Sequence, residues 1–267
     1  MDLGNLQEYW RVIAQEFKRL EGLPSLAANR VLSARSFDES QVAGPRTYIE
    51  ATRYLNVARD NHEALIALLE HHGATLWAPW SLLRPTFEAS FRAAWILDPE
   101  EGRERRARGL RYEILDTYEQ RKHRAAFRAS RDPEVRKLIE TSEAHTETGS
   151  LKTYREEAAA LGREFGKLRQ QVTVTDELPK LSFVRHQDEL ALFLVAIWRQ
   201  LSGFEHGFGW ALLSGTDRQV MAHVPGGADM MLVINDESFV NAAKSTYFLL
   251  ISACRIFTRR HLEPSQY

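Results

Sequence analysis

Apolar residues recur at spacings of three and four along most of this 267-residue chain, the period of an α-helix with one buried face. The first segment has the clearest stripe, formed by Leu6, Trp10, Ile13, Phe17 and Leu20. Further helices are expected over 47–72, 74–97 (two pieces, the longer beginning near Pro85), 102–130, 133–170, 188–213 and 236–261. The sequence therefore predicts an all-α fold, a helical bundle.

Three stretches depart from the helical period. Residues 33–46 indicate a loop, and residues 172–187 indicate a linker with a strand-like start. Residues 218–235 place apolar runs on both sides of a Pro-Gly-Gly turn, which favours one small β-hairpin. We expect the polar helices of residues 102–170 to pack on the outside or to project as an arm. The most buried ranges should be those that are apolar around most of the helix, namely 84–97, 189–213 and 239–257.

Composition excludes several classes of protein. A formal net charge of -1 is not that of a polyelectrolyte built for DNA or an anionic membrane. A single cysteine, Cys254, excludes an internal disulfide framework and any multi-cysteine metal site, and its apolar helix predicts a core residue. The longest apolar runs fall short of the ~20 residues of a membrane span, and the charged N-terminus is unlike a signal peptide. A cytoplasmic protein without membrane contact is expected.

The common cofactor and metal motifs are missing from the sequence. It contains neither GxxxxGK[ST] nor GxGxxG, and it has no HExxH pair. The densest His/Glu group contains His62, Glu63 and Glu70, which we place on the polar face of a helix as a solvated surface. We therefore expect no cofactor and no metal.

One segment combines chemistry-bearing residues with an apolar helix. Arg199 follows six apolar residues and a tryptophan, and His206 comes seven positions later, nearly two helical turns, so both should share one face. The small residues Ser202 and Gly203 lie between them and should leave a shallow notch. Arginine can hold a phosphate through two hydrogen bonds, and histidine can transfer a proton near neutral pH. Such a pair suits RNA cleavage by the 2′-hydroxyl, which needs no metal.

A purely structural role explains the same residues. Arg199 would then pair with Glu88 or Glu205, and His206 would donate to a backbone carbonyl inside a packed bundle. An open basic cleft would favour the functional interpretation, and a dry, fully hydrogen-bonded core the structural one.

The segment WRQLSGFEHG, residues 198–207, resembles the motif of the HEPN superfamily of helical nucleotide-binding proteins. That motif is an Arg, commonly followed by a polar residue such as Gln200, and then a His after four to six residues. Uncharacterised bacterial HEPN-like proteins also carry an upstream helix of the form Arg-Pro-x-x-Glu-x-x-x-Arg, which Arg84, Glu88 and Arg92 resemble. Glu205, next to the histidine, departs from the family pattern.

The resemblance implies a single helical domain over residues 1–267, with a HEPN-like core in 47–97 and 189–260. The N-terminal helix and loop, 1–45, and the arm, 102–170, are not covered by it. It implies a metal-independent endoribonuclease or an RNA-binding relative, often a toxin or antiphage component that acts as a homodimer with an antitoxin or defence partner. The alternative is a non-catalytic helical interaction protein, or scaffold, whose Arg–His pair is structural.

The resemblance also assigns roles to the site residues. Arg199 would hold the scissile phosphate and His206 would act as general acid or base. Gln200 and Ser202 would hydrogen-bond ribose or phosphate. Glu88 would orient the pair, with Arg84 or Arg92 adding positive potential, unless these three form only an ion network within the bundle.

Two further features have two interpretations each. Residues 103–137 carry twelve Lys and Arg against six Asp and Glu, interleaved with aromatic residues, which suits either a nucleic-acid backbone or an ordinary solvated helix. Trp77, Trp80 and Trp95 can anchor a homodimer interface or form a core cluster.

Overall fold

The structure is a computed structural model that describes residues 4–25 and 32–264. Within them, helices α1 to α12 are Gly4–Glu21, Ala34–Glu39, Gly44–His72, Ala78–Leu97, Gly102–Ala125, Pro133–His145, Leu151–Ala160, Phe165–Leu168, Val174–Glu177, Asp188–Glu205, Gly209–Ser214 and Asp236–Leu262. A π-helical turn covers Thr146–Ser150 and a 3₁₀ turn Leu178–Lys180. Strands β1 (Thr216–Val224) and β2 (Gly227–Ile234) form an antiparallel hairpin. The predicted all-α fold with one small hairpin is confirmed, although parts of the N-terminal segment, 1–3 and 26–31, lie outside the described residues.

The chain divides into two compact units. Unit 1 comprises Met1–Pro24, Thr52–Trp95 and Thr173–Arg259, and unit 2 comprises Ser25–Ala51, Ile96–Val172 and Arg260–Tyr267. The segment 102–170, for which the sequence suggests an outer or projecting arm, supplies most of the apolar core of unit 2. The buried side chains of this core are Ala43, Ala107, Leu110, Ile114, Leu151, Tyr154, Ala158, Leu161 and Leu168.

Aromatic side chains fill the core of unit 1. Trp80 stacks on Phe204 with ring centroids 4.2 Å apart and meets Phe239 edge-on at 5.3 Å. Tyr247 is fully buried and accepts a hydrogen bond of 3.0 Å from the indole of Trp10. Trp80 therefore belongs to the core rather than to a surface anchor.

A buried ion pair holds unit 2 together. Arg105 donates to Asp38 Oδ2 at 2.7 Å, and both side chains are at most 1% exposed. The Tyr48 hydroxyl donates to the same carboxylate oxygen at 2.9 Å. Arg105 also donates to the carbonyls of Pro99 and Glu100, so its guanidinium is well provided with acceptors.

Several predicted helix limits are wrong. Helix α4 continues through Pro85, because its faces are buried and the Thr86 hydroxyl donates to the carbonyl of Leu82 one turn earlier. The range 133–170 is interrupted where Gly162 adopts φ +61°, a left-handed conformation that ends the helix. Residues 33–46 contain helix α2, whose first turn is capped by the Ser33 hydroxyl.

The three ranges expected to be most buried differ from one another. Residues 84–97 and 239–257 are mostly buried, as predicted. The range 189–213 is not: Leu192 is 67% exposed, and Phe193 and Trp210 also face solvent. An apolar helix thus presents part of its surface without a covering element among the described residues of unit 1.

Candidate functional site

Helix α10 ends at the predicted site instead of running through it. Its last helical residue is Glu205, and Gly207 adopts φ +67°. The N–H of Phe208 donates to the carbonyl of Gly203 at 2.9 Å, which closes the helix end. A glycine in the left-handed region is a common helix terminator, and this one breaks the predicted helix over 188–213 into α10 and α11.

The backbone from Arg199 to His206 nevertheless keeps helical hydrogen bonding. The His206 backbone keeps φ -83° and ψ 1°, and its N–H donates to the carbonyl of Ser202 at 3.1 Å. A spacing of seven residues places the two side chains on the same side of α10, separated by ~10 Å along its axis. We call this strip, Arg199 to His206, the Arg–His face.

Both side chains of the Arg–His face are exposed to solvent. Within the described part of the chain, neither makes a side-chain hydrogen bond or an ion pair, and the imidazole of His206 lies 5.7 Å from the ring of Phe208. Arg199 pairs with neither Glu88 nor Glu205. The structural alternative, in which both residues are paired in a dry core, has no support in this geometry.

The expected notch between the two residues is filled. Gly203 is buried, and a Cβ atom there would lie 2.6 Å from the Cβ of Ala211 and 2.7 Å from Cζ2 of Trp210. Ser202 is half-buried on the same strip. The absence of a side chain at Gly203 thus admits the Trp210 indole onto the Arg–His face, where we expected an open notch.

The triad Arg84, Glu88 and Arg92 forms an ion network at this helix end. Glu88 accepts from Arg84 at 2.8 Å and from Arg92 at 3.1 Å. Its Oε1 also accepts from the Trp198 indole at 3.2 Å, which ties α4 to α10. Glu88 therefore contacts the residue before Arg199, and its bonds to Arg199 or His206, which the resemblance implies, are not formed.

Arg84 also pairs with Glu205. This contact matters because Glu205 is the acid that departs from the family pattern and that stands next to His206. An arginine placed on this carboxylate offsets its repulsion of a phosphate. The triad is thus an internal network that also neutralises the acid beside the candidate site.

Gln200 faces away from the Arg–His face. Its amide donates to the Ser238 hydroxyl at 3.1 Å and to the Ser214 hydroxyl at 3.4 Å. These bonds hold α10 to α11 and to the first turn of α12, which is itself capped by the Asn235 side chain. The side chain is engaged in packing, contrary to the ribose or phosphate role that the resemblance implies.

The basic stretch 103–137 is largely occupied by contacts within unit 2. Its arginines donate to backbone carbonyls or pair with acids, as seen for Arg103, Arg105, Arg106, Arg108, Arg111, Arg121, Arg124 and Arg128. A guanidinium that is already bonded is a poor phosphate ligand. This favours the solvated structural helix over the nucleic-acid interpretation.

The other sequence candidates have structural roles. His62 is buried, contrary to the expected polar face, because its ring meets Tyr247 edge-on at 5.0 Å. Burial raises the pKa of the Cys254 thiol to about 12, which keeps it protonated and fits a core residue. Among the described residues, no cluster of three or more His, Cys, Asp or Glu side chains could hold a metal ion.

Sequence reasoning missed two residues at the site, Phe208 and Trp210. Both are about half exposed, at 52% and 53%, directly after the turn that ends α10. The available signal was the Gly-Phe-Gly-Trp run directly after the histidine. Two glycines so close together favour a helix end, and the two aromatic residues at such an end need not enter the core. The helix expected over 188–213 places this run in a helix interior.

The chain matches no protein-family model, no curated protein and no solved structure. No helix in the described ranges 4–25 and 32–264 is both long and apolar enough to cross a membrane.

Proposed function

We propose that this chain is a HEPN-like helical protein that binds RNA and cleaves it without a metal ion, using Arg199 and His206. One observation carries the proposal: both side chains are exposed on one face of α10 and keep their hydrogen-bonding groups available. Burying or pairing them would have indicated a structural role. The neighbouring acid, Glu205, is held by Arg84, so a phosphate can approach.

The chemistry follows from the two side chains. Attack of a ribose 2′-oxygen on the adjacent phosphorus forms a 2′,3′-cyclic phosphate and expels the 5′-oxygen of the next nucleotide. One proton must leave the 2′-hydroxyl and one must reach the leaving oxygen, and His206 carries out one of these two transfers. Arg199 binds the phosphate oxygens and stabilises the charge that grows on them in the transition state.

A homodimer is part of the proposal. One imidazole cannot both remove and deliver a proton in the same step, and a second copy supplies another. Upstream of Arg199 on the same side of α10, Leu192 is 67% exposed and Ala196 is exposed as well, so the Arg–His face continues into an apolar strip. Light scattering should give twice the chain mass of 30.7 kDa, and Leu192→Asp should return it to that mass.

The cellular setting is inferred from the family resemblance alone. A cytoplasmic toxin or antiphage component fits a ribonuclease whose activity must be restrained, and an antitoxin or defence protein would be the restraining partner. Expression of the wild-type chain should arrest growth, and expression of His206→Ala should not. Co-expression of the restraining partner should relieve the arrest.

The direct test compares cleavage of a labelled RNA by matched variants with EDTA present. His206→Ala should lower the rate roughly 10²–10⁴-fold with little change in RNA affinity, because it removes proton transfer. Arg199→Ala should lower both the cleavage rate and the RNA affinity. Arg199→Lys should restore the affinity better than the rate, because lysine cannot form two parallel hydrogen bonds to the phosphate. His223→Ala and Arg185→Ala, also exposed, are the controls. Equal activity of His206→Ala and wild type would contradict the proposal.

A second candidate function, a non-catalytic interaction protein, is favoured by the hairpin. Val220, Met221, Met230, Met231 and Val233 are all more than 40% exposed on its two strands. An isolated two-stranded hairpin is marginal in water, so a protein partner would stabilise it. Under this function Met231→Lys abolishes partner binding, and RNA stays intact with the wild-type chain.

A further inference from the structure

The two aromatic residues after His206 are the largest apolar groups beside the Arg–His face. Phe208 and Trp210 expose about half of their surface, whereas Trp80 and Phe204 in the core of unit 1 are almost fully buried. Exposed aromatics next to cations are the usual components of surfaces that stack nucleic-acid bases. Local contacts fix their positions: Trp210 lies against Gly203, and Phe208 lies beside His206.

Trp210 lies against the backbone of α10. A Cβ built on Gly203 would fall 2.7 Å from Cζ2 and 3.2 Å from Cε2 of the indole, so the ring occupies space that any side chain at 203 would take. Gly203 lies between Arg199 and His206 on the helix surface. The indole therefore packs on α10 between the positions of Arg199 and His206.

Phe208 is fixed by the turn. Gly207 at φ +67° and the bond from the Phe208 N–H to the Gly203 carbonyl set its backbone, and its ring centroid lies 5.7 Å from that of His206 at a 40° tilt. A ring held in this way loses little conformational freedom when a ligand binds. Phe208 thus lies beside the imidazole of His206, and Trp210 lies against Gly203.

Basic residues lie close to this pair of rings in the chain. Arg199 and His206 precede the rings, and Arg218 donates to the carbonyl of Leu213 at the end of the same short helix. The nearby acid, Glu205, is paired with Arg84. Aromatic faces among cations complement bases joined by phosphates better than they complement an apolar protein surface.

We propose that Phe208 and Trp210 form a stacking platform for two unpaired bases next to the phosphate held by Arg199, so that the substrate is single-stranded RNA. This inference rests on the proposed function, because it takes Arg199 as the phosphate ligand. Duplex RNA keeps its base faces stacked inside the helix and offers the rings nothing to contact. Specificity for unpaired regions thus comes from the rings, and cleavage from the Arg–His pair.

The test uses fluorescein-labelled 2′-O-methyl RNA, single-stranded or annealed to its complement. The methyl group removes the 2′-hydroxyl proton, so fluorescence anisotropy of the full-length protein measures binding without cleavage. Trp210→Leu and Phe208→Leu should each raise the Kd for the single strand by about 5- to 150-fold, and the Kd for the duplex should change little. Trp210→Phe should retain most of the affinity. Phe127→Leu, at an equally exposed ring in unit 2, should have no effect.

Thermal melting of the same variants establishes that each is folded. An unchanged Kd in both Leu variants, or an equal loss for duplex and single strand, would overturn the platform. So would loss of self-association in Trp210→Leu with RNA affinity intact, because the rings would then contact protein. If RNA stays intact in the cleavage assay but binding depends on the two rings, the ribonuclease proposal is overturned and the platform stands. If RNA is cleaved but binding does not depend on the rings, the platform is overturned and the ribonuclease proposal stands.

Discussion

Arg105 in unit 2 and Arg199 in unit 1 both lie within α-helices, yet their environments are opposite. Arg105 is 1% exposed and bonded to Asp38 and to two carbonyls. Arg199 is exposed, and the described residues give its side chain no hydrogen bond or ion pair. A guanidinium whose donors are satisfied inside the fold serves stability. One that keeps its donors in solvent is available to a ligand.

The largest stability effect should therefore come from Arg105. Its replacement by alanine leaves the Asp38 carboxylate buried without its hydrogen-bonded cation, which should cost about 3–5 kcal/mol of unfolding free energy. Urea unfolding of Arg105→Ala measures this loss. Arg108→Ala, which breaks a more exposed i,i+4 pair with Glu104 on the same helix, is the control and should lose less. Similar losses in both variants would remove the distinction between buried and surface arginines.

The next effect depends on pH and concerns His62 in unit 1. Burial lowers the pKa of His62 from its ordinary 6.5 to about 4, a shift that Glu63 opposes. As the pH falls through this window the unfolded chain takes the proton first, so stability is lost between pH 6.5 and 4, by about 3 kcal/mol in all. His62→Phe keeps a ring against Tyr247 and should lose less stability over that range in urea unfolding. Parallel pH profiles for the two proteins would contradict the account.

A smaller loss is expected at Gly203. An alanine Cβ there would lie 2.6 Å from Ala211 and 2.7 Å from Trp210, so the indole must move. Overpacking of this kind costs about 1–3 kcal/mol. Gly203→Ala should lower the melting temperature and shift the Trp210 contribution to fluorescence, as judged against Trp210→Phe. Gly209→Ala, where a Cβ would meet nothing within 4 Å, is the control.

The smallest stability effect is expected at the candidate site itself. Arg199→Ala and His206→Ala should each change the unfolding free energy by no more than about 0.5 kcal/mol, since exposed side chains without partners contribute little to it. Calorimetry measures both. A loss of 3 kcal/mol or more, on the order expected for a buried pair, would restore the structural interpretation of these residues.

The fold class followed from the sequence because helical periodicity is local and repeated. Several helix limits were missed where a single residue decides the backbone: Gly162 and Gly207 take a left-handed conformation, and Pro85 is tolerated inside a buried helix. Tertiary packing decides where these helices end, and the spacing of apolar residues carries no information about that packing. The ion network on Glu88 and the pairing of Glu205 with Arg84 likewise depend on which helices meet.

The candidate site was predictable only in outline. The spacing of Arg199 and His206 gave their shared face, because helix geometry fixes it. It could not give the exposure of that face, the packing of Gln200 against α11 and α12 or the filling of the notch by Trp210. These features depend on a helix ending at Gly207, and an assignment that continued the helix to residue 213 hid them.

The central claim, that Arg199 and His206 act on RNA, is tested most directly by the ends of the product. A purified wild-type chain incubated with single-stranded RNA in EDTA should yield fragments that end in a 2′,3′-cyclic phosphate and begin with a 5′-hydroxyl, and His206→Ala should leave the RNA intact. Intact RNA with the wild-type protein, cleavage that EDTA abolishes, or fragments with 3′-hydroxyl ends would contradict it.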